Sequence, residues 1–391
     1  MKNSKSNSKE KVKVGLTLSG GGARGAYQAG VLRAIYDLCK FKKNPFPVIS
    51  GVSAGSINGL SLAAEAEDFN LSTQLLWETW KHLSVDKIFK TDATTLLKTG
   101  STWLVDLSLG DWFRTPKMTH LLDTSPLKHL LTNKINISWI DKNLKSGLLH
   151  AVGLSATDYH TGKGVTFFNG NNSIQNWDRD SGIGQRTILK IDHIMASTAI
   201  PIFFPPIRVD GSDYGDGGVG LRSPLSPAIH MGADRLLVIG LEHPLAMQPS
   251  KSVERRDPVT LGDIAGTLLN SMFLNSMDAD FARMTQTNKV LSVLTPGQLH
   301  TDESYLRQVP SLFIRPSRDL GEIDCDHFKQ FPFALRHLLK GFGVTDRKGW
   351  DLLSYLAFDK TYAEALLNLG YQDGINSKKD ILEFFEVPAS K

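Results

Sequence analysis

The chain has little of what marks a secreted or membrane-spanning protein. Its 391 residues include only two cysteines, Cys39 and Cys325, which exclude a disulfide framework and have no metal-ligand spacing. No apolar stretch reaches the roughly 18–20 residues needed to span a bilayer. The apolar residues 12–18 are short, interrupted by polar residues and run into a glycine loop, so they predict a strand and not a signal peptide. We therefore expect a cytoplasmic or peripheral membrane protein without a Sec signal, with export by a non-Sec route left open.

The chain also lacks a charge excess beyond its first residues. The formal net charge of +4 lies entirely in residues 1–13, with five lysines and one glutamate, and 39 basic and 39 acidic residues remain. A balanced body argues against a nucleic-acid groove. We predict that residues 1–11 form a disordered basic arm, with weak attraction to anionic lipid as the alternative.

The order of elements that the sequence predicts is that of an α/β protein. The sequence begins with a strand at 12–19, a helix at about 26–40, a strand at 46–50 and then a second helix. This alternation gives parallel strands with right-handed crossovers. Later apolar runs at 148–154, 165–168 and 235–240 predict further strands, the last apolar on both faces as in a central parallel strand.

Residues 68–145 break this alternation and hold five of the seven tryptophans. We predict a helical insertion there, either a plain subdomain with a tryptophan core or a lid that binds an acyl chain, with the stretch from Trp103 to Phe113 as the candidate for contact with a lipid surface. Residues 250–300 and 326–388 look helical. The predicted organisation is a catalytic domain at 12–320 and a helical C-terminal extension at 321–391 packed on it.

Ser53 lies in Gly51-Val52-Ser53-Ala54-Gly55, between an apolar run and a helix-like stretch. This strand–turn–helix setting is the one that a nucleophile elbow requires, with glycines where a Cβ would collide. The motif occurs by chance in many chains, so its context must agree.

A glycine-rich loop, Gly20-Gly21-Gly22-Ala23-Arg24-Gly25, lies about thirty residues upstream. It also matches a dinucleotide-binding pattern, which needs an acidic residue at the tip of the second strand, and that tip carries no carboxylate. Glycine N–H groups at a helix N-terminus also stabilise an oxyanion. With a serine elbow following, an oxyanion hole is the favoured interpretation.

The base that would activate Ser53 has two kinds of candidate. Asp216 lies in Tyr214-Gly215-Asp216-Gly217-Gly218, where the glycines allow close backbone approach, although an isolated Asp-Gly is more often a simple turn. A histidine late in the chain is the usual alternative, but none has a strong loop signature. The available histidines are His230, His243, His327 and His337.

Together, the glycine loop, the serine elbow and the Asp-Gly-Gly element resemble the patatin-like phospholipase family, which has these three elements in this order and uses a Ser-Asp dyad. Similar stretches are 155–162, 196–206 and 222–234, and the resemblance spans residues 13–242. It implies a three-layer α/β fold with a mainly parallel central sheet and helices on both faces.

Carried over residue by residue, the resemblance makes Ser53 the nucleophile and Asp216 the general base. The oxyanion hole is Gly20, Gly21, Gly22, Ala23, Arg24 and Gly25, with its N–H donors around Gly21, Gly22 and Ala23 and with Arg24 supporting the loop; the elbow glycines are Gly51 and Gly55, and the Asp-Gly-Gly glycines are Gly217 and Gly218.

The resemblance implies a lipid acyl hydrolase that acts on phospholipid or lysophospholipid in peripheral contact with a membrane, with no metal and no cofactor. The alternatives are a general carboxylesterase or triacylglycerol lipase on the same scaffold and, more remotely, a nucleotide-binding or non-catalytic lipid-binding protein.

Overall fold

The computed structural model describes residues 12–92, 94–95, 100–102, 119–244, 258–273, 275–293, 307–323, 331–345 and 349–388. The basic arm at 1–11, the segment from Trp103 to Phe113, Cys325 and His327 lie outside the described residues. Predictions that rest on them stay predictions.

A single sheet runs through the described residues, and its spatial order is β10-β9-β1-β2-β3-β4-β6-β5, with β8 pairing to β3 and β7 to β8. Strands β10, β9, β1, β2 and β3 are all parallel, whereas β4 and β8 run antiparallel to β3. The strands are β1 Val14–Leu18, β2 Val48–Val52, β3 Ala151–Asp158, β4 Gly164–Gly170, β5 Trp177–Arg179, β6 Gly182–Arg186, β7 Ile207–Val209, β8 Ser212–Asp216, β9 Arg235–Ile239 and β10 Ser311–Ile314.

Helices cover both faces of this sheet. On β9, Leu237 and Ile239 belong to one hydrophobic core, while Leu236 and Val238 belong to the other, because alternate side chains of a strand point to opposite faces. The helices are α1 Ala26–Cys39, α2 Ala54–Ala64, α3 Phe69–Lys81, α4 Ser125–Lys134, α5 Ile137–Lys145, α6 Ile191–Ser197, α7 Gly217–Gly220, α8 Ser226–His230, α9 Leu261–Phe273, α10 Asn275–Val293, α11 Phe333–Gly341, α12 Trp350–Leu356, α13 Lys360–Asn376 and α14 Lys378–Phe384. The predicted α/β class with a mainly parallel sheet is confirmed.

The described part of the 68–145 insertion is helical. Asp68 accepts a hydrogen bond from the Leu71 N–H and so caps α3. At the far end of the insertion, Asn143 on α5 donates to the carbonyl oxygens of Ala63 and Ala64 at 2.8 and 2.9 Å. These bonds tie α5 to the end of α2, so the insertion is anchored to the helix that follows the elbow.

The C-terminal helix α13 packs directly on α1. A Cβ at Gly30 would lie 2.2 Å from the Leu367 carbonyl oxygen, and one at Gly370 would lie 2.1 Å from that of Tyr27. Only glycine permits this backbone approach. The Tyr27 hydroxyl donates to Asp373 at 3.0 Å across the same contact. The end of the chain therefore supports the helix that follows the glycine loop.

Candidate active site

Ser53 occupies the sharp turn between β2 and α2. Its backbone has φ 52° and ψ −124°, an uncommon conformation for a residue with a side chain, and it is only 2% exposed. The flanking glycines make the turn possible, since a Cβ at Gly51 would lie 2.3 Å from the Gly55 carbonyl oxygen and one at Gly55 would lie 2.3 Å from that of Leu18. The turn has the geometry of a nucleophile elbow.

A second serine holds this turn in place. The backbone N–H of Ser53 donates to Ser197 Oγ at 3.0 Å, and Ser197 Oγ donates to the Ser155 carbonyl oxygen at 2.7 Å. On the other side, Ser56 Oγ donates to the Ser53 carbonyl oxygen at 2.6 Å. The strained conformation of Ser53 is therefore tied to β3, to the end of α6 and to the first turn of α2.

Strand register brings Asp216 next to Ser53. The last residue of β2, Val52, pairs with Ser155, and Asp216 at the end of β8 pairs with the next residue of β3, Ala156. The end of β2 and the end of β8 thus occupy consecutive positions along the same edge of β3. Asp216 and Ser53 are about 160 residues apart in sequence and lie side by side in the fold.

Asp216 is completely buried, with its backbone N–H bonded to the Ala199 carbonyl oxygen at 2.9 Å. Oδ1 accepts from the Gly218 N–H at 2.9 Å. In the described part of the chain, Oδ2 has no hydrogen-bond partner. The Ser53 side chain is near enough to stabilise the carboxylate, yet it falls short of hydrogen-bond geometry. Burial raises the pKa of the carboxyl to about 7, opposed by Ser53 and by the Gly218 N–H.

The glycine loop closes over the same serine. A Cβ at Gly20 would lie 3.0 Å from the Ser53 Cβ. Residues Gly22–Gly25 form a short 3-10 helix, and the Arg24 N–H bonds back to the Gly21 carbonyl oxygen at 3.1 Å. The N–H groups that precede this bond have no acceptor within the helix, as at any helix start. Gly22 has φ +56°, and a Cβ there would lie 2.3 Å from the Tyr355 carbonyl oxygen.

Arg24 extends from this loop into a buried polar site formed by distant parts of the chain. Its Nε donates to Ser354 Oγ at 2.9 Å, and its guanidinium carbon lies 4.2 Å from the centre of the Tyr355 ring. One terminal nitrogen donates to Asn270 Oδ1 and another to Asp351 Oδ1, both at 3.3 Å. Arg24 therefore connects the glycine loop to α9 and α12.

An apolar cleft opens at Ser53. It runs along α2, whose Ile57 and Ser61 face it, and its walls come from α3, α4 and the loops beside α6. The side chains that line it are mostly aliphatic or aromatic, with Leu76, Trp80, Leu131 and Phe204 among them. The described helices of the insertion thus form two walls of a cleft suited to a hydrocarbon chain.

A family model for patatin-like phospholipases matches residues 16–229, which include Ser53 and Asp216. The chain belongs to this family.

A curated relative, a cGAMP-activated phospholipase of Pseudomonas aeruginosa (strain BWHPSA011 / Pa011), is 29% identical over 210 residues. The match covers 54% of this chain and 53% of the relative, so the chain spans about half the length of that protein. Among solved structures, the chain is similar to human GIVD cytosolic phospholipase A2 with methyl gamma-linolenyl fluorophosphonate and terbium chloride (TM-score 0.43, 12% identity, 96% of this chain and 59% of that one). It is also similar to VipD from Legionella pneumophila (TM-score 0.30, 12% identity, 92% and 67%).

Of the histidines considered as alternative bases, His230, His243 and His337 lie elsewhere in this patatin-like chain, and His327 is outside the described residues. His230 stacks on Trp177 with ring centres 4.8 Å apart, His243 bonds through Nδ1 to the Pro316 carbonyl oxygen, and His337 stacks on Phe333. Among the cleft-lining residues that the structure describes, none is a histidine. The described residues also contain no group of three or more histidine, cysteine or acidic side chains placed to hold a metal ion, and no helix long and apolar enough to cross a membrane.

Sequence reasoning identified the residues around Ser53 but missed Ser197 and the partners of Arg24. Ser197 lies in a stretch that resembles the family, and neither Ser197 nor Ser354 has a spacing that points to chemistry. Asn270 has no signal of any kind in the sequence. Their roles depend on contacts across more than 100 residues, which no local pattern encodes.

Proposed function

We propose that this member of a lipid hydrolase family cleaves fatty-acyl esters of phospholipids or lysophospholipids through an acyl-enzyme on Ser53. The observation that carries the proposal is that β2, which ends just before Ser53, and β8, which ends at Asp216, reach consecutive positions beside β3, with Ser53 at the opening of the apolar cleft. A serine hydroxyl needs a base within reach, and a cleft lined with hydrocarbon side chains suits the acyl part of such a substrate.

In the first step, Ser53 Oγ attacks the ester carbonyl carbon while Asp216 Oδ2 accepts the hydroxyl proton. The unpartnered Oδ2 is the oxygen that faces this task, because Oδ1 is already bonded to the Gly218 N–H. Collapse of the tetrahedral intermediate breaks the ester C–O bond, and Asp216 returns the proton to the departing alcohol. Water then attacks the carbonyl carbon of the acyl-enzyme and gives a proton to Asp216. The bond to Ser53 Oγ breaks, the fatty acid leaves, and Asp216 returns the proton to Ser53 Oγ.

The glycine loop supplies the oxyanion hole in this proposal. The N–H groups of Gly21, Gly22 and Ala23 precede the first hydrogen bond of the 3-10 helix, so they are available to an oxyanion. Arg24 does not reach the reacting atoms; it positions the loop through Ser354, Asn270 and Asp351. The dinucleotide alternative for this loop has no support here, because Gly20 lies against Ser53.

The acyl cleft does not distinguish a phospholipase from a general carboxylesterase or a triacylglycerol lipase, since all three substrates present a hydrocarbon chain. We favour phospholipid because of the family and because the relative is a phospholipase. Peripheral contact with a lipid surface belongs to the proposal, with the stretch from Trp103 to Phe113 as its candidate on sequence grounds.

The relative suggests a second element of function, control by a cyclic dinucleotide. That protein is a cGAMP-activated phospholipase, and its match spans 210 residues. We propose that cGAMP also stimulates the hydrolase activity of this chain.

The test is fatty-acid release from phospholipid vesicles, with and without cGAMP. Ser53→Ala and Asp216→Ala should each lower the rate about 10⁴-fold or more, and the double variant should be little worse because the two residues act as a unit. Ser292→Ala is the matched serine control, since Ser292 lies on α10 outside the cleft lining and its hydroxyl bonds to the Lys289 carbonyl oxygen. Asp213→Asn on β8 is the matched acid control. Near-normal activity of Asp216→Ala would rule out the dyad.

A further inference from the structure

A second large cleft lies at the opposite end of the sheet from Ser53. It has a volume of about 820 Å³ and is bounded by the segments that precede β1, β2 and β3, at residues 12–14, 41–47 and 144–150, together with Phe385 beyond α14. Ser53 follows the carboxyl end of β2, whereas this cleft lies at the amino ends, so the two are separated by the length of a five-residue strand, about 17 Å. A molecule in this cleft cannot be the acyl chain undergoing hydrolysis.

The charge of this amino-end cleft is positive. Lys13, Lys42, Lys43 and His150 line it, and the lining residues that the structure describes include no carboxylate. Lys13 is partly balanced by Asp234, with Nζ 3.7 Å from Oδ2. Lys42 and Lys43 are exposed, and neither forms an ion pair with a described residue. The cationic rim therefore favours an anionic occupant.

The floor of the amino-end cleft is apolar and partly aromatic. Phe41 and Phe385 both line it and meet edge to face with ring centres 5.0 Å apart, and Val12, Pro45 and Leu148 add aliphatic surface. A site for an inorganic anion needs only donors and charge. A cationic rim over apolar and aromatic surface matches a ligand that has both phosphate groups and flat heterocyclic rings.

We propose that the amino-end cleft binds a phosphate-bearing nucleotide of the cyclic dinucleotide class. In this proposal Lys42 and Lys43 form ion pairs with its phosphates, and the apolar surface around Phe41 contacts its bases. The cleft volume of about 820 Å³ lies within the range of small-molecule binding sites. The choice of this class over other organic phosphates rests on the proposed function, whereas the cationic and aromatic character of the site rests on the contacts above.

The cleft is connected to the helices that form the acyl cleft. The Lys42 carbonyl oxygen accepts from the Phe69 N–H at the start of α3, at 3.1 Å, and the Asn44 N–H donates to the Ala66 carbonyl oxygen at 2.9 Å, between α2 and α3. Helices α2 and α3 both line the acyl cleft. A ligand that orders the 41–45 loop therefore bears directly on the walls of the candidate active site, which gives binding a route to activity.

Calorimetric titration of cGAMP into the Ser53→Ala protein tests binding separately from catalysis. We expect saturable binding that weakens with salt, because phosphate contacts are ionic. Lys43→Glu should weaken the affinity about tenfold or more, as expected when a charge-assisted contact is removed. Lys289→Glu is the matched control, because it makes the same charge change at an exposed position of α10 that does not line the cleft.

Two further measurements separate the possible sources of binding. Inorganic phosphate should not displace cGAMP at equal concentration, and anionic phospholipid vesicles should sediment Lys43→Glu as well as wild type. Absence of cGAMP binding, equal binding by Lys43→Glu, displacement by phosphate, or vesicle binding that depends on Lys43 would each overturn the proposal. If the wild type releases fatty acid but does not bind cGAMP, the proposed hydrolase activity stands and the proposed nucleotide site is wrong. If it binds cGAMP but releases no fatty acid, the nucleotide site stands and the proposed hydrolase activity is wrong.

Discussion

Ser197 Oγ accepts a hydrogen bond from the backbone N–H of Ser53 at 3.0 Å and donates one to the Ser155 carbonyl oxygen at 2.7 Å. One buried hydroxyl thus joins the elbow turn to β3, the strand that also pairs with Asp216. Because Ser53 has a positive φ, this bond helps to hold a conformation that the backbone disfavours.

Ser197→Ala should therefore lower kcat about tenfold while leaving KM nearly unchanged, since it removes a hydrogen bond from the elbow turn and leaves the acyl cleft unchanged. The unpaired Ser53 N–H should also lower the free energy of unfolding by about 1–3 kcal/mol. Steady-state kinetics on a short soluble ester and thermal melting measure the two effects. Ser155→Ala is the control, because its hydroxyl bonds to Thr166 at 2.9 Å and not to Ser53. An equal loss of kcat in both variants would show that Ser197 contributes only to packing and does not position Ser53.

Asp216 predicts the pH dependence of hydrolysis. The base must be ionised, and burial raises its pKa to about 7. The value of kcat/KM should rise with pH through an inflection near 7, level off above it, and fall about tenfold per pH unit well below it. Rates on a soluble ester between pH 5 and 9 provide the check. Asp213→Asn should keep the inflection, and a flat profile from pH 5 to 8 would contradict the assignment of Asp216 as the base.

We also expect the buried Asp216 carboxyl to lower the stability of the folded protein at neutral and higher pH. Its pKa is raised in the folded protein, so the folded state holds the proton more tightly than the unfolded state. The wild type should lose stability as the pH rises from about 4 to about 7, because the carboxyl of the unfolded chain ionises over this range while the buried carboxyl keeps its proton. Asp216→Asn cannot ionise, and at pH 8 it should be more stable than wild type by on the order of 2–4 kcal/mol. The difference should shrink at pH 5; a variant less stable than wild type at both pH values would disprove the effect.

Gly22 is the position of the glycine loop where a side chain should be tolerated least. Gly22→Ala places a Cβ 2.3 Å from the Tyr355 carbonyl oxygen at a positive φ, so the loop must move and misdirect its N–H groups. We expect kcat to fall roughly 10²–10³-fold while the protein stays folded, and a bulkier residue at Gly21 should act similarly. Gly162→Ala imposes a similar positive φ in open space and should keep full activity. Equal activities for Gly22→Ala and Gly162→Ala would remove the loop from catalysis.

Leu130 on α4 tests the acyl cleft. It lines the cleft and is only partly buried, so Leu130→Trp should narrow the cleft without disrupting a core position. Hydrolysis of long-chain phospholipid should fall about 10–100-fold, while a short soluble ester should be cleaved at the wild-type rate. Leu71→Trp on the exposed side of α3 is the control. A parallel loss on both substrates would mean that the cleft does not hold the acyl chain.

The sequence by itself determined the α/β class, the first strands and helices, and the three short motifs. Each of these depends on local physics: the periodicity of apolar residues, and glycines where the chain turns sharply or the backbone approaches closely. Ser53 and the glycine loop could be located because their geometry requires particular residue types within a few positions. Asp216 could not be separated from a simple Asp-Gly turn by local reasoning, and its assignment came from resemblance.

Only the tertiary structure decided which distant groups meet. The register of β2 and β8 against β3 brings Asp216 beside Ser53, and the burial that results raises its pKa. Packing of α9 and α12 surrounds Arg24 with Asn270, Asp351 and Ser354, and α3 and α4 enclose the acyl cleft. The contacts of Ser53 with Asp216 and of Arg24 with its partners join residues about 160 to 330 positions apart. Their partners are selected by shape and buried polarity after the elements pack, so no short window of the sequence contains them.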